Sequence, residues 1–123
     1  MNDIKMLQKN RLEIRSILMS YLTDDLIGVA TNKMRGITLH YKDKLLHIKV
    51  FFDAALTDDE EDGMIEIDNH ITHSACPYLY NYRSEVILNI ERLGLDFIVV
   101  PSENEIIDQE GNLGWFFLRK EYH

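Results

Sequence analysis

A single cysteine, Cys76, stands in the 123 residues, and one thiol allows no intrachain disulfide. There are only two prolines and six glycines. No Pro-rich linker divides the chain, and no G-x-G-x-x-G or P-loop turn is present to cradle a nucleotide. The longest purely apolar stretches, such as Phe97-Ile98-Val99-Val100, are far too short for a bilayer, which needs about 20 residues. The start, Met1-Asn2-Asp3-Ile4-Lys5, leads into mixed polar sequence rather than an apolar signal core. A cytoplasmic protein with no membrane role is expected. The shortage that says most is of positive charge. Between Lys49 and Arg83 there is no lysine or arginine, while Asp58, Asp59, Glu60, Glu61, Asp62, Glu66 and Asp68 fall in the same interval. Residues 1–54 hold nine bases and six acids, net +3; residues 55–123 hold four bases and fifteen acids, net −11. A carboxylate face of this kind repels nucleic acid and anionic membrane and speeds encounter with a cationic partner. Its plain alternative is a solvated helix face.

What is present fits one α+β domain over residues 1–123: 14.5 kDa with 46% hydrophobic residues is enough to bury a core without staples. Residues 3 to about 22 place Ile4, Leu7, Ile14, Leu18 and Leu22 at helical spacing, with Lys5, Lys9, Glu13 and Arg15 on the other side. From residue 37 the period becomes two. Ile37, Leu39 and Tyr41, then Leu46, Ile48, Val50 and Phe52, alternate with polar residues about Lys42-Asp43-Lys44, which reads as a β-hairpin. Phe51 is apolar as well, so the second strand is expected to be covered on both faces near its end. Thr57 and Glu60 form the T-x-x-E capping box, so a second helix starts at Asp58. Met64, Ile67, Ile71 and Ala75 keep one apolar stripe until Cys76-Pro77 ends it. Tyr78, Tyr80 and Tyr82 read as a loop. Residues 84–91 read as a third strand broken by Gly94, Phe97–Val100 as a short extra strand, and residues 113–120 as the last. The expectation is a mainly antiparallel sheet of four to five strands with two helices, in the order α-β-β-α-β-β.

Chemistry is sparse. Glu66, His70 and His73 fall at i, i+4 and i+7 on the second helix and would share a face, with Cys76 as a fourth donor for zinc. A small metal-dependent hydrolase or metal-binding protein is therefore the alternative reading. Structural zinc normally draws ligands from two segments, however, and one helix supplies all of these. Cys76 follows an acidic helix near its negative end, where a thiolate is not favoured. No pair of carboxylates is singled out as an acid and base. Basic residues are not clustered, so nucleic acid is not an expected partner. Neither catalysis nor a cofactor is expected, and a binding module is the simplest reading.

The stretch Arg35-Gly36-Ile37-Thr38-Leu39-His40-Tyr41, then His47-Ile48-Lys49-Val50-Phe51-Phe52-Asp53, an acidic helix start, and a terminal Trp115-Phe116-Phe117-Leu118-Arg119-Lys120-Glu121 resemble the immunity proteins of contact-dependent growth inhibition and related polymorphic toxin systems. The resemblance spans roughly residues 35–121 in order. It implies a small bacterial α+β protein that stays in the producing cell's cytoplasm, binds the C-terminal domain of a cognate toxin and blocks its active site. Many such toxins are nucleases with basic grooves, for which a carboxylate-rich helix is the physical complement. The candidate surface is Asp58, Asp59, Glu60, Glu61, Asp62 and Glu66, with Glu103, Glu105 and Asp108 as an extension.

Overall fold

Two residues, Asp43 and Lys44, turn the first hairpin, and both have positive φ (52° and 63°). This is the left-handed turn whose twist matches the strands it joins. The computed structural model describes residues 3–26 and 32–119. Helix α1 spans Asp3–Leu26, and the hairpin is formed by β1 (Met34–Lys42) and β2 (Leu45–Phe52). Helix α2 spans Asp58–Ala75. It is followed by β3 (Tyr78–Tyr80), β4 (Val86–Asn89), β5 (Arg92–Val99), a short 3-10 turn (Ile107–Gln109) and β6 (Trp115–Leu118).

Hairpin register sets the inner face. Ile37 lies opposite Val50, Leu39 opposite Ile48 and Tyr41 opposite Leu46, and all six are buried. Leu7, Ile14, Leu18 and Leu22 of α1, the Met64, Ile67, Ile71 and Ala75 stripe of α2, and Leu79, Ile87 and Leu88 of the small sheet join them in one cluster. Each leucine, isoleucine, valine or methionine of this set, moved from water to the interior, contributes about 1.5–3 kcal/mol.

The fold is α+β, but the sheet is mixed. Its order is β5-β2-β1-β6, and β5 runs parallel to β2 along its whole length, from Arg92 opposite Leu45 to Val99 opposite Phe52. Parallel neighbours need a long crossover, and residues 53–91, carrying α2, β3 and β4, provide it. The expected strand 84–91 is therefore not in the main sheet. Val86–Asn89 pairs with Tyr78–Tyr80 in a separate two-stranded sheet, and the tyrosine segment read as a loop is half of it. The element order becomes α-β-β-α-β-β-β-β. Gly94 does not break a strand but lies inside β5 opposite His47. A Cβ there would come to 3.3 Å from the imidazole, so the small residue admits the ring. The last strand ends at Leu118, and Lys120 lies outside the described residues.

Two irregularities re-aim side chains, as bulges do. Arg35 is the extra residue of β1 between the Met34–Phe52 and Gly36–Phe51 pairs. Its buried guanidinium donates to the carbonyls of Val100 and Pro101. Phe116 is the extra residue of β6, and its ring lies 4.6 Å beneath the Arg15 guanidinium of α1. The β5–β6 loop is fastened across the outer face of the sheet. Thr38 Oγ1 donates to Gly114 O and accepts from Gly111 N, and Gly111 approaches the Leu39 carbonyl so closely that any Cβ would collide with it. Phe51 is covered as expected, by the Trp115 ring at 5.8 Å. Together with Ile106 it is buried outside the main cluster.

Candidate functional site

Helix α2 starts where the sequence places it. Thr57 is in the extended region, its Oγ1 accepts from Glu60 N at 3.2 Å, and Glu60 Oε1 accepts from Thr57 N at 2.8 Å. Glu60 is also held by Lys33 Nζ at 2.8 Å, and Lys33 donates in turn to the Ala55 carbonyl. Its carboxyl is held below the ordinary glutamate value of 4.5, chiefly by the Lys33 hydrogen bond and then by Thr57. Glu60 is thus occupied by the fold.

Because its folded-state pKa is depressed, Glu60 contributes stability that is fully present above the ordinary value and lost as pH falls through the lowered one. The stability difference between wild type and Glu60→Gln should accordingly be largest at neutral pH and shrink steadily below about 4.5. Urea unfolding at several pH values measures it; a difference that is flat or grows on acidification contradicts the assignment. Thr57→Ala should cost about 1 kcal/mol at pH 7.

The remaining predicted carboxylates behave differently. Asp58, Asp59, Glu61, Asp62 and Glu66 are exposed, because the opposite stripe of Met64, Ile67, Ile71 and Ala75 faces inward. Among the described residues no lysine or arginine pairs with any of the five. Glu103, Glu105 and Asp108 are exposed too, but they sit on the β5–β6 loop fastened to the outer face of the sheet. Helix α2 packs on the inner side, so the sheet stands between the two acidic groups.

Glu66, His70 and His73 are exposed on α2, and among the described residues no three of His, Cys, Asp or Glu converge as metal ligands. Burial, and after it Asp68, pushes the Cys76 thiol up. That environment favours the thiol over the thiolate.

One cluster was not legible in the sequence. His40 and His47 face each other across the hairpin, and His47 Nε2 lies 2.6 Å from Asp96 Oδ2 of β5. Burial and then Lys49 lower the His40 pKa, and its Nδ1 accepts from Asn112 N. Among the described residues no hydroxyl or thiol hydrogen-bonds to either ring, and the group joins strands rather than pairing a nucleophile with a base. Alternation places both histidines on the outer face, but their link to Asp96 depends on the β2–β5 pairing, which no local pattern reveals. A cleft of about 660 Å³ between the start of α1 and the hairpin is rimmed by Arg11, His40 and Lys42, and among the described residues no serine, threonine or cysteine lines it.

The small sheet presents a different surface. Leu79 is buried while Tyr78, Tyr80 and Tyr82 are 45%, 50% and 84% exposed, and Val86, opposite Tyr80, is 42% exposed. The geometry so far is a surface for binding, with carboxylates on α2 and aromatic rings beyond its end. A family model described as MafI2 immunity protein matches residues 15–121. The chain belongs to the MafI2 immunity protein family. A comparison with curated proteins returned no match. The family match covers the hairpin, α2, the small sheet and β6 together, and agrees with the resemblance to polymorphic-toxin immunity proteins. Membership makes this chain the toxin-neutralising partner of a cognate toxin protein. Among the described residues no helix is long and apolar enough to cross a membrane.

Proposed function

We propose that the chain, acting as one immunity domain and without catalysis of its own, neutralises its toxin in the cytoplasm of the producing cell by covering the active site of a basic C-terminal domain. The observation that carries the target's charge is the set Asp58, Asp59, Glu61, Asp62 and Glu66, exposed on one helix with no cationic partner among the described residues. Like charges held together repel one another, and a cationic surface relieves that repulsion. Glu60 completes the candidate set in sequence but serves the helix cap. A nuclease of a contact-dependent growth inhibition system fits such a groove, since its substrate is a polyanion that these carboxylates would mimic and exclude.

The experiment is to mix the purified chain with the C-terminal domain of the toxin encoded beside it. A stable complex that lowers nuclease activity and is competed by substrate polynucleotide is the expected result. A complex that forms without competing with substrate would replace active-site cover by an exosite. No complex at all would remove the immunity reading for that toxin.

A further inference from the structure

We infer that Tyr78, Tyr80 and Val86, on the outer face of the β3–β4 ribbon, form the anchor of the toxin interface and take arginine and lysine side chains of the toxin's basic surface against their rings. This rests on the proposed function and adds to it the place where affinity, as distinct from encounter rate, resides.

Three observations carry it. First, the patch is apolar and open without being a leftover of the core. Strand alternation turns Leu79 inward with Leu88 opposite, both fully buried, so Tyr78 and Tyr80 must point out. Their rings lie 6.5 Å apart in an edge arrangement, and Tyr80 is the direct cross-strand partner of Val86. Single exposed apolar side chains are ordinary, but a contiguous aromatic group marks a contact surface. Tyrosine is also enriched among residues that dominate binding energy, because a large rigid ring is immobilised at small entropic cost.

Second, the ribbon is held in place before any partner arrives. Asn81, itself buried, accepts from Arg83 N and Glu85 N through Oδ1, donates to Glu85 Oε1, and sends its own N–H to the Glu85 carbonyl. At the other end Pro77 O accepts from Ile90 N and Asn89 Nδ2, and Tyr41 Oη of the main sheet donates to Asn89 O. A surface fixed in this way loses little freedom on binding.

Third, the charge around it selects the occupant. The patch closes the base-free interval that starts after Lys49. The nearest base in sequence, Arg83, is taken up by Glu85 at 2.7 Å and lies 4.0 Å from Glu13. Glu66 and Asp68 stand on the helix that leads into Tyr78. Lys9 of α1 and Arg83 line the cleft beside Val86 together with Glu13 and Glu85, so the bases there are matched by carboxylates, and on a chain of net −8 the tyrosine faces attract guanidinium and ammonium groups as cation–π contacts. A second copy of this chain, net −8, would bring like charge instead. The acidic start of α2 lies about 25 Å from Tyr78 along 18 residues of helix. That is roughly three Debye lengths at physiological salt, so the two features act on separate steps.

The test uses the full chain against the C-terminal domain of the toxin encoded beside it, with association and dissociation followed by biolayer interferometry. Wild-type binding is established first; without it the proposed function fails for that toxin, not this assignment alone. Tyr78→Ala/Tyr80→Ala should raise the off-rate about thirtyfold with the on-rate changed less than threefold, whereas Tyr78→Phe/Tyr80→Phe, which keeps the rings, should stay within threefold of wild type. An off-rate within twofold of wild type in the alanine variant, while wild type binds, overturns the patch and leaves the proposed function standing. Should the alanine variant fail to fold, hydroxyl-radical footprinting of the wild-type complex decides: protection of Tyr78 and Tyr80 on toxin addition supports the assignment, and unchanged labelling refutes it. Protection already present in a toxin-free dimer on sedimentation would also refute it.

Discussion

Phe51→Ala is expected to destabilise the chain by about 3–5 kcal/mol, the cost of emptying a buried aromatic site. Phe51 is 1% exposed, yet it lies outside the main cluster, on the face of β2 opposite Val50 and Phe52. Its cover is Trp115, whose ring lies 5.8 Å away, below a loop held by Thr38, Gly111 and Gly114. If that cover were open to water, the ring would be an exposed side chain and its removal would cost about 0.5 kcal/mol or less. The two cases differ by several kcal/mol. Urea unfolding separates them, since with a slope of about 1–3 kcal/mol per molar the midpoint should fall by roughly 2 M at unchanged slope. A loss below about 1 kcal/mol would mean that the β5–β6 loop does not seal the outer face. Lys49→Ala, two residues earlier on the same face and only half-buried, serves as the surface control.

The apolar Phe51 among alternating neighbours was enough to predict cover on both faces, because two-residue periodicity is a local property. The hairpin, the Thr57–Glu60 cap and the α2 stripe were legible for the same reason: their partners lie within four residues or across a two-residue turn. β5 was misread because its partner is β2, reached only through the whole 53–91 crossover. Gly94 carries the signature of a strand end; what it provides is room for the His47 ring. In residues 84–91, strict alternation would set Val86, Leu88 and Ile90 on one face. The register shift beside Tyr80 turns Val86 out and buries Ile87 next to Leu88. Of the candidate surface, exposure of the α2 carboxylates followed from the stripe. The bond from Lys33 to Glu60, which withdraws one of them, joins residues from separate segments and has no local signal.

Association with a basic toxin domain should slow about tenfold or more at 10 mM salt when Asp58→Asn, Asp59→Asn, Glu61→Gln and Asp62→Asn are combined, within the range by which steering accelerates encounter. The four are exposed, share the first turns of α2 and form no ion pair with any described residue. Their field therefore projects into solvent. At 10 mM salt it reaches about 30 Å, at 0.15 M about 8 Å and at 1 M about 3 Å, so the two proteins' on-rates should converge as salt rises and the variant's salt dependence should be flatter than that of wild type. Glu60 stays unchanged because it closes the cap and binds Lys33. The remaining cost is the loss of favourable charge at the positive end of the helix, about 0.3–1 kcal/mol at low salt for each of Asp58, Asp59 and Glu61 in the first turn. A melting curve must accompany the kinetics, with the comparison made well below the transition. The off-rate should change less than the on-rate, since charges at the edge of an interface act mainly on encounter. Should the quadruple variant associate at the wild-type rate in 10 mM salt, the start of α2 is a solvated face and nothing more. The negative half of the chain would then have to act through Glu66 and Asp68, further along α2, or through Glu103, Glu105 and Asp108 on the far side of the sheet.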